Sequence, residues 1–402
     1  MPKQNFDGKQ TKPSEASALF AIAWEKGPSL PQGFQDSAGG IVGDTLITVC
    51  GFCTGYTIPQ KPKEKYPRGF LRKAWGLELG HTEGDWFALP DFPGDPRQML
   101  AGVVSGDQLY CWGGFSYTEP CCYRDGYRLS HSTGKWRWER LPDLPWMLCC
   151  AGICAVDSRI YICGGADYDN SETGGMYTDT DRNGDVERLG ARLLMFDTRD
   201  AAQGFVELPS CPATPRSAPA LAAVGTDIFL IGGITGNDYN RELGAMNCVD
   251  NWRFDTVRHQ WKRLSDLPIS STGFPGGAIV HEDRYLFLVG GYQYEWVAYP
   301  DGAVGEKVGK PSRFYEHNLF DFREDGTDLL YYSEVSVYDV KTDSFGTAEQ
   351  LPLNNFMPLV IVRNGNLHLI GGETGGSEID GEFFSHHPDL FLTGRISPKG
   401  PK

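Results

Sequence analysis

Residues able to do chemistry collect just downstream of a recurring Gly-Gly step. Phe115 and Tyr117 follow one such step, and Asp167, Tyr168 and Asp169 a second. Asn237, Asp238, Tyr239, Arg241 and Glu242 follow a third, Tyr292, Tyr294, Glu295 and Trp296 a fourth, and Glu373 a fifth. Arg97 and Arg216 stand just before apolar runs of the same pattern. Flat aromatic rings stack on sugar rings, carboxylates accept hydroxyls, and a guanidinium clasps an anion in a bidentate fork, so the set suits an acidic carbohydrate. Each member alone is also an ordinary loop residue of an aromatic-rich chain. The set, not any single residue, carries the reading.

Other constellations point to structure rather than chemistry. Cys50-Gly51-Phe52-Cys53 has redox or zinc spacing, but Cys50, Cys111 and Cys163 all precede a glycine of the repeat, as small apolar strand residues do. Cys121-Cys122 and Cys149-Cys150 are adjacent pairs, a spacing poor for shared metal ligation. Asp179 to Asp185 has the acidic spacing of a calcium loop, yet Gly190 stands where the closing glutamate belongs. His386-His387 and Tyr315-Glu316-His317 lie in long loops, where a histidine is more often solvated than catalytic. No metal and no cofactor is expected.

The elements that must position these residues are repeats. An apolar run, a polar turn and a second apolar run ending in Gly-Gly recur as Ala101 to Gly114, Ala151 to Gly165, Ala220 to Gly233, Gly277 to Gly291 and Leu359 to Gly372, with a worn first copy, Ala38 to Gly51. A third run follows, as at Phe196-Asp197, Phe254-Asp255 and Tyr338-Asp339. An aromatic then leads into Leu-Pro: Trp86 to Leu89-Pro90, Trp136 to Leu141-Pro142, Phe205 to Leu208-Pro209, Trp261 to Leu267-Pro268 and Phe345 to Leu351-Pro352. This pattern resembles the kelch repeat, whose unit is one four-stranded blade of a β-propeller. The fold class expected is all-β, a six-bladed kelch β-propeller. Asp389 to Ile396 reads as a third strand lacking a fourth, while Phe20 to Trp24 with Leu30-Pro31 reads as a fourth strand lacking a repeat. The last blade is therefore expected to be closed by the N-terminal strand, which removes an open edge. The implied organisation is a flexible segment 1–19, a single propeller 20–396 with 20–31 as outer strand of the last blade, and a tail 397–402. Strand topology puts the long insertions Cys53 to Arg72, Ala166 to Gly190, Tyr292 to Leu330 and Glu373 to Pro388 on one face, where a site is expected.

Composition agrees. Glycine makes up 50 of 402 residues, about 12% against a usual ~7%, and hydrophobic residues reach 40%, as in a turn-rich β protein with a core. A net charge of −15 argues against nucleic acid as a partner. No apolar run reaches the length of a membrane helix, and no leader-like segment opens the sequence, so no membrane partner and a cytoplasmic setting with reduced thiols are expected.

Within the kelch propellers the chain is similar to the bacterial N-acetylneuraminate epimerase (sialic acid mutarotase) family. The likeness rests on the sixfold count with a split last blade, the long third and fifth insertions, and Gly371-Gly372-Glu373-Thr374-Gly375-Gly376. It implies an isomerase that opens an acidic sugar at the anomeric centre, with a base for the anomeric proton, an acid for the ring oxygen and a cation for the carboxylate. The family's catalytic Glu directly follows the double glycine of the fourth blade, with an Arg several residues on. Here Ile234 stands in the Glu position, and Arg241 is near that of the Arg. Catalysis would then fall to Glu373, Asp238 or Glu242, with Arg97, Arg216, Arg241, Tyr239, Tyr294 and Trp296 binding the substrate. Two other classes stay open: a non-catalytic kelch scaffold with a protein partner, and a propeller polysaccharide lyase using Tyr315 or His317. A copper oxidase of the galactose-oxidase type is disfavoured, since its Tyr-His motif is absent.

Overall fold

Short runs rich in β-branched and aromatic residues form strands here, and glycines in left-handed backbone end them. The computed structural model describes residues 18–56, 65–80, 84–171, 174–273, 279–312, 331–379 and 382–399. Among the described residues there are six antiparallel four-stranded sheets. In chain order the first five are Ala38–Val42, Thr45–Cys53, Gly69–Glu78 and Phe87–Ala88; Ala101–Ser105, Gln108–Trp112, Gly126–Ser132 and Lys135–Leu141; Gly152–Val156, Arg159–Cys163, Leu193–Asp197 and Phe205–Leu208; Ala220–Val224, Asp227–Ile231, Trp252–Asp255 and Gln260–Arg263; Ile279–His281, Tyr285–Val289, Val335–Asp339 and Ser344–Thr347. The sixth joins both ends of the chain. Leu359–Arg363, Asn366–Ile370 and Phe391–Pro398 are completed by Phe20–Lys26, which pairs antiparallel with Phe391–Pro398 from Phe20 opposite Pro398 to Lys26 opposite Leu392. Helix is confined, among the described residues, to the 3-10 turns Leu189–Ala191 and Ala201–Gln203, and no helix is long and apolar enough to cross a membrane.

The first strand of each sheet contacts the first strands of the sheets before and after it, and Leu359–Arg363 contacts Ala38–Val42. Apolar layers fill the spaces between successive sheets, for example Ile153, Ile162 and Phe196 against Tyr110 and Trp112, and Leu359, Ile370 and Phe391 against Leu46, Trp75 and Leu77. Second strands are buried almost throughout, whereas the fourth strand Lys135–Leu141 alternates toward solvent. All eleven cysteines are buried in this packing and none is in a disulfide.

Tryptophans in or next to the fourth strands bond to proline carbonyls of the preceding turn, at the Leu-Pro itself for Pro90 and Pro209 and three residues before Pro31 for Pro28. The indole N–H of Trp138 donates to Pro90 O at 2.8 Å, that of Trp261 to Pro209 O at 2.7 Å, and that of Trp86 to Pro28 O at 3.1 Å. Each bond ties one sheet's outer region to the turn leaving the sheet before it. In the second sheet Trp138 makes this bond, while Trp136 stacks on His131 at 4.7 Å.

The double glycine is needed for its backbone and for space. Gly113 and Gly114 have φ of 68° and 95°, and a Cβ on Gly113 would lie 2.1 Å from Leu148 O. In the worn first copy Cys50 takes the first glycine's left-handed conformation at φ 62°. The second glycine's N–H then reaches the next sheet: Gly51 donates to Arg97 O, Gly114 to Leu148 O, Gly165 to Arg216 O, Gly291 to Asn355 O and Gly372 to Phe34 O, at 2.8 to 3.1 Å.

Candidate active site at the mouth of the first strands

Two residue positions repeat around the ends of the first strands. One is the residue after the second glycine: Phe52, Phe115, Ala166, Ile234, Tyr292 and Glu373. These pair with Gln35, Gln98, Cys149, Ser217, Thr272 and Phe356. The other is the next residue along in each case, held in left-handed backbone: Asp36, Met99, Cys150, Ala218, Gly273 and Met357, with φ from 49° to 80°. Backbone bonds run from sheet to sheet through this second set. Met99 N–H donates to Asp36 O at 3.0 Å, Cys150 to Met99 O at 3.2 Å, Ala218 to Cys150 O at 2.7 Å, and Asp36 to Met357 O at 3.3 Å.

Most of these positions are apolar, and the acids among them are Asp36 and Glu373, on adjacent sheets. Glu373 is buried, and its Oε1 accepts a 2.6 Å hydrogen bond from the Tyr331 hydroxyl. Tyr331 in turn stacks on Phe356 at 5.1 Å, and Asn355 Oδ1 accepts from Glu373 N–H at 3.1 Å. Asp36 is 5% exposed, and neither of its carboxylate oxygens has a hydrogen-bond partner among the described residues. Burial, and after it the charge of Glu373, holds the Asp36 carboxyl well above the usual carboxylate range.

An aromatic wall flanks the acids. Phe52 meets Phe70 at 4.9 Å, Phe70 meets Tyr117 at 5.0 Å, and Phe115 meets Tyr168 at 4.6 Å. The Tyr117 ring is 51% exposed, and its hydroxyl is pushed up by burial, then by Asp36, with Arg68 opposing and Glu373 adding. Arg68 also acts on buried His387, whose Nδ1 accepts from Thr54 N–H at 3.1 Å.

The structure divides the residues singled out by sequence. Glu373 lies at the mouth. Tyr294 approaches it through Tyr292, with ring centroids at 4.8 Å, and Tyr292 contacts Tyr331 at 6.4 Å; burial pushes the Tyr294 hydroxyl up to about 12. Arg97 and Arg216 are engaged elsewhere. They stand where strand topology puts them, but their side chains turn into the framework. Arg216 is fully buried, pairs with Asp250 at 2.6 Å and donates to Thr214 O, Gly232 O and Asp250 O. Arg97 is paired with Asp125, donates to Asp95 O and Gly113 O, and lies 3.6 Å over the Tyr123 ring. Guanidiniums so engaged have little left for a ligand anion.

Asp238 is likewise structural in its contacts. Its oxygens accept from the N–H groups of Thr178, Asp179 and Thr180 at 2.8 to 2.9 Å, fastening the third-sheet loop. Arg241 and Glu242 are exposed on the turn that follows, with half-buried Tyr239 beside them. Trp296, 36% exposed, opens the strand Trp296–Ala298, which pairs with Asn247–Cys248 from the fourth-sheet loop. Asp181 of the calcium-like loop turns its Oδ1 onto its own backbone, accepting from Asp185 and Val186 N–H. Tyr315, Glu316 and His317 lie outside the described residues. Sequence reasoning missed Asp36; the signal was there, since aligning the six repeats puts it with Met99, Cys150, Ala218, Gly273 and Met357.

A kelch motif family model matches residues 215–268, the fourth sheet and its approaches. The chain is 25% identical over 391 residues to the N-acetylneuraminate epimerase of Pasteurella multocida, covering 90% of this chain and 92% of that protein. It is 24% identical over 400 residues to the protein of that name from Haemophilus influenzae, covering 92% and 95%. The chain carries a kelch motif and is similar along most of its length to N-acetylneuraminate epimerases. The solved structure of YjhT superposes with a TM-score of 0.60 at 16% identity, covering 89% of this chain and 99% of that one. A kelch domain-containing protein of Vibrio cholerae is 28% identical over 278 residues, covering 68% of this chain and 61% of that protein.

Proposed function

We propose that the six sheets are the blades of one closed kelch propeller over residues 20–396, with the N-terminal strand closing the last blade. We propose further that its mouth carries out mutarotase-like isomerisation of an acidic sugar, with Glu373 as base. The observation that supports this most is positional. Glu373 holds in the sixth sheet the place after the double glycine that Ile234 holds in the fourth, and it is buried, hydrogen-bonded by Tyr331 and beside an aromatic wall. The names of the relatives supply the substrate class, an acidic sugar. A cytoplasmic setting suits eleven buried cysteines without a disulfide.

In this reading the sugar stacks on the wall that includes Phe70 and Tyr117. Glu373 takes the anomeric proton as the ring C–O bond breaks, and the bonding pair goes to the ring oxygen, which takes a proton from solvent at the open mouth. Reclosure on the other face of the carbonyl returns both protons. Arg68, whose charge reaches Tyr117, and Arg241, exposed on the fourth-sheet loop, are the guanidiniums proposed to hold the sugar carboxylate.

Anomer exchange followed by NMR with sialic acid and hexuronic acids tests the activity against the spontaneous rate. Acceleration by the wild type, reduced on the order of 100-fold or more in Glu373→Gln, is the expected result. A wild type no faster than the spontaneous rate overturns the activity, and a fully active Glu373→Gln overturns the role of Glu373.

A further inference from the structure

Asp36 is an unusual residue to find where it is. Its counterparts in the other sheets are Met99, Cys150, Ala218, Gly273 and Met357. Its backbone is tied at both sides, accepting from Met99 N–H and donating to Met357 O. Its side chain is buried, and both oxygens lack a hydrogen-bond partner among the described residues. A carboxyl group that none of the described residues satisfies is costly to keep, and by itself it adds nothing to packing that a Met or Ala would not.

The neighbour that gives this position meaning is Glu373. Met357, which accepts from Asp36 N–H, follows Phe356, and Phe356 exchanges backbone hydrogen bonds with Glu373 at 2.8 and 2.9 Å. Among the described residues, Glu373, Cys150 and Tyr117 are titratable groups coupled to Asp36, and all of them add negative charge when ionised. The positive charge on this side is Arg68, felt at Tyr117; His387 is kept neutral by burial, its value lowered to about 3.

We propose that Asp36 is a positioning residue that keeps the mouth at a single negative charge, holding its own proton beside the base Glu373, and that adding a second charge there closes the site to anionic sugars. The ligand and the role of Glu373 rest on the reading above. Two carboxyl groups in one poorly solvated space do not ionise together: the first to lose its proton raises the cost for the second. Below the second ionisation the mouth has one base and tolerates a sugar carboxylate. Above it, a second buried negative charge adds its field to that of Glu373 and repels the ligand. Asp36 donates no proton to the substrate in this scheme, since its oxygens are covered. Its effect is exerted through charge.

The sign of the stability effect follows. A carboxyl group whose folded value is raised favours the folded state while protonated. That contribution is present at acid pH and is lost as pH rises through the folded value.

The experiment pairs binding with unfolding in the full chain. Sialic acid affinity is measured from about pH 5 to about pH 9 in wild type and Asp36→Asn, which keeps the shape without the charge, with an uncharged methyl ester as control; the expected loss as pH rises is about tenfold in wild type only, and for the acid only. In parallel, the thermal midpoint of Asp36→Asn should gain on wild type as pH rises. Adding Glu373→Gln should shrink that gain without abolishing it, because burial, the larger cause of the raised carboxyl, stays while the Glu373 charge is gone.

Equal pH dependence of affinity in wild type and Asp36→Asn overturns the proposal, as does a midpoint gain that Glu373→Gln leaves untouched. If Asp36→Asn fails to fold, Glu373→Gln alone must flatten the wild-type midpoint against pH, and an unchanged slope overturns the coupling. Absence of anomer exchange would defeat the catalytic reading while leaving the unfolding arm to decide on Asp36.

Discussion

The N–H of Gly372 donates to the carbonyl of Phe34 at 2.8 Å, so the last sheet is bonded to the segment entering the first by the same link that ties Gly114 to Leu148. Gly371 beside it has φ 60°, and a Cβ there would sit 2.4 Å from Phe34 O. Together with the pairing of Phe20–Lys26 against Phe391–Pro398, this places the junction of first and last sheets under backbone control. Gly371→Ala should therefore destabilise the protein by about 2–4 kcal/mol, through left-handed strain and the clash. Deletion through Pro31 should lower the thermal midpoint sharply by exposing a blade edge. A calorimetric midpoint unchanged by either alteration would count against closure at this junction.

Arg216 and Asp250 make the second case. Both side chains are completely buried, and four donor contacts fix the guanidinium. Removing one partner of such a pair strands the other charge, so Arg216→Met should cost about 3–5 kcal/mol in chemical denaturation. Sugar affinity of the remaining folded protein should stay within about twofold, because the guanidinium is engaged by Asp250 and three backbone carbonyls. A variant of wild-type stability with lost affinity would return Arg216 to the ligand set.

These two cases show what the chain made legible. The Gly-Gly step announced itself because only a residue without a Cβ tolerates that backbone and that contact. The aromatic and Leu-Pro signature was equally open, since an indole N–H needs a fixed acceptor and a proline carbonyl supplies it, as Trp261 and Pro209 do. Arg97 and Arg216 misled for a physical reason. Their partners Asp125 and Asp250 lie 28 and 34 residues downstream, and nothing local distinguishes an arginine held by a buried aspartate from one awaiting an anion. Asp238 misled similarly, because its acceptors are filled by backbone N–H groups about 60 residues upstream. Glu373 entered the site set because it follows a glycine pair, whereas Asp36 did not, since its left-handed position is marked by a glycine in the fifth sheet alone, at Gly273.

His387 gives a pH prediction. It is fully buried, accepts from Thr54 N–H, and burial lowers it from 6.5 to about 3. His368 is lowered to about 4, by burial first and then by Arg363. For a histidine kept neutral in the fold, the unfolded chain takes up the proton first. Stability is then complete above the ordinary histidine value and is lost as pH falls from about 6.5 toward these lower values, by up to about 1.4 kcal/mol per pH unit for each group. His387→Gln, which retains an acceptor for Thr54, should show a shallower fall in unfolding free energy between about pH 6.5 and pH 4. A slope as steep as wild type would mean that His387 is protonated in the fold.

The location of the ligand can be decided by two aromatic residues. Tyr117 lies 5.0 Å from Phe70 and within the fields of Asp36, Arg68 and Glu373, so it belongs to the wall at the acidic mouth. Trp296 opens the hairpin that joins the fourth- and fifth-sheet loops, and its neighbours there are the strands Asn247–Cys248 and Val304–Glu306. Both are exposed enough to meet a sugar. If the sugar stacks beside Glu373, Tyr117→Ala should weaken binding about tenfold, the loss of roughly 1–1.5 kcal/mol of ring contact, and Trp296→Ala should leave affinity near wild type. Tyr117→Phe separates the two parts of the side chain: retained affinity assigns the effect to stacking, whereas a loss equal to that of the alanine variant assigns it to the hydroxyl. Titration calorimetry with sialic acid reads all three variants. The reverse outcome, with Trp296→Ala impaired and Tyr117→Ala normal, would move the site to the loops bearing Tyr239, Arg241 and Glu242 and would leave Glu373 without a substrate to act on.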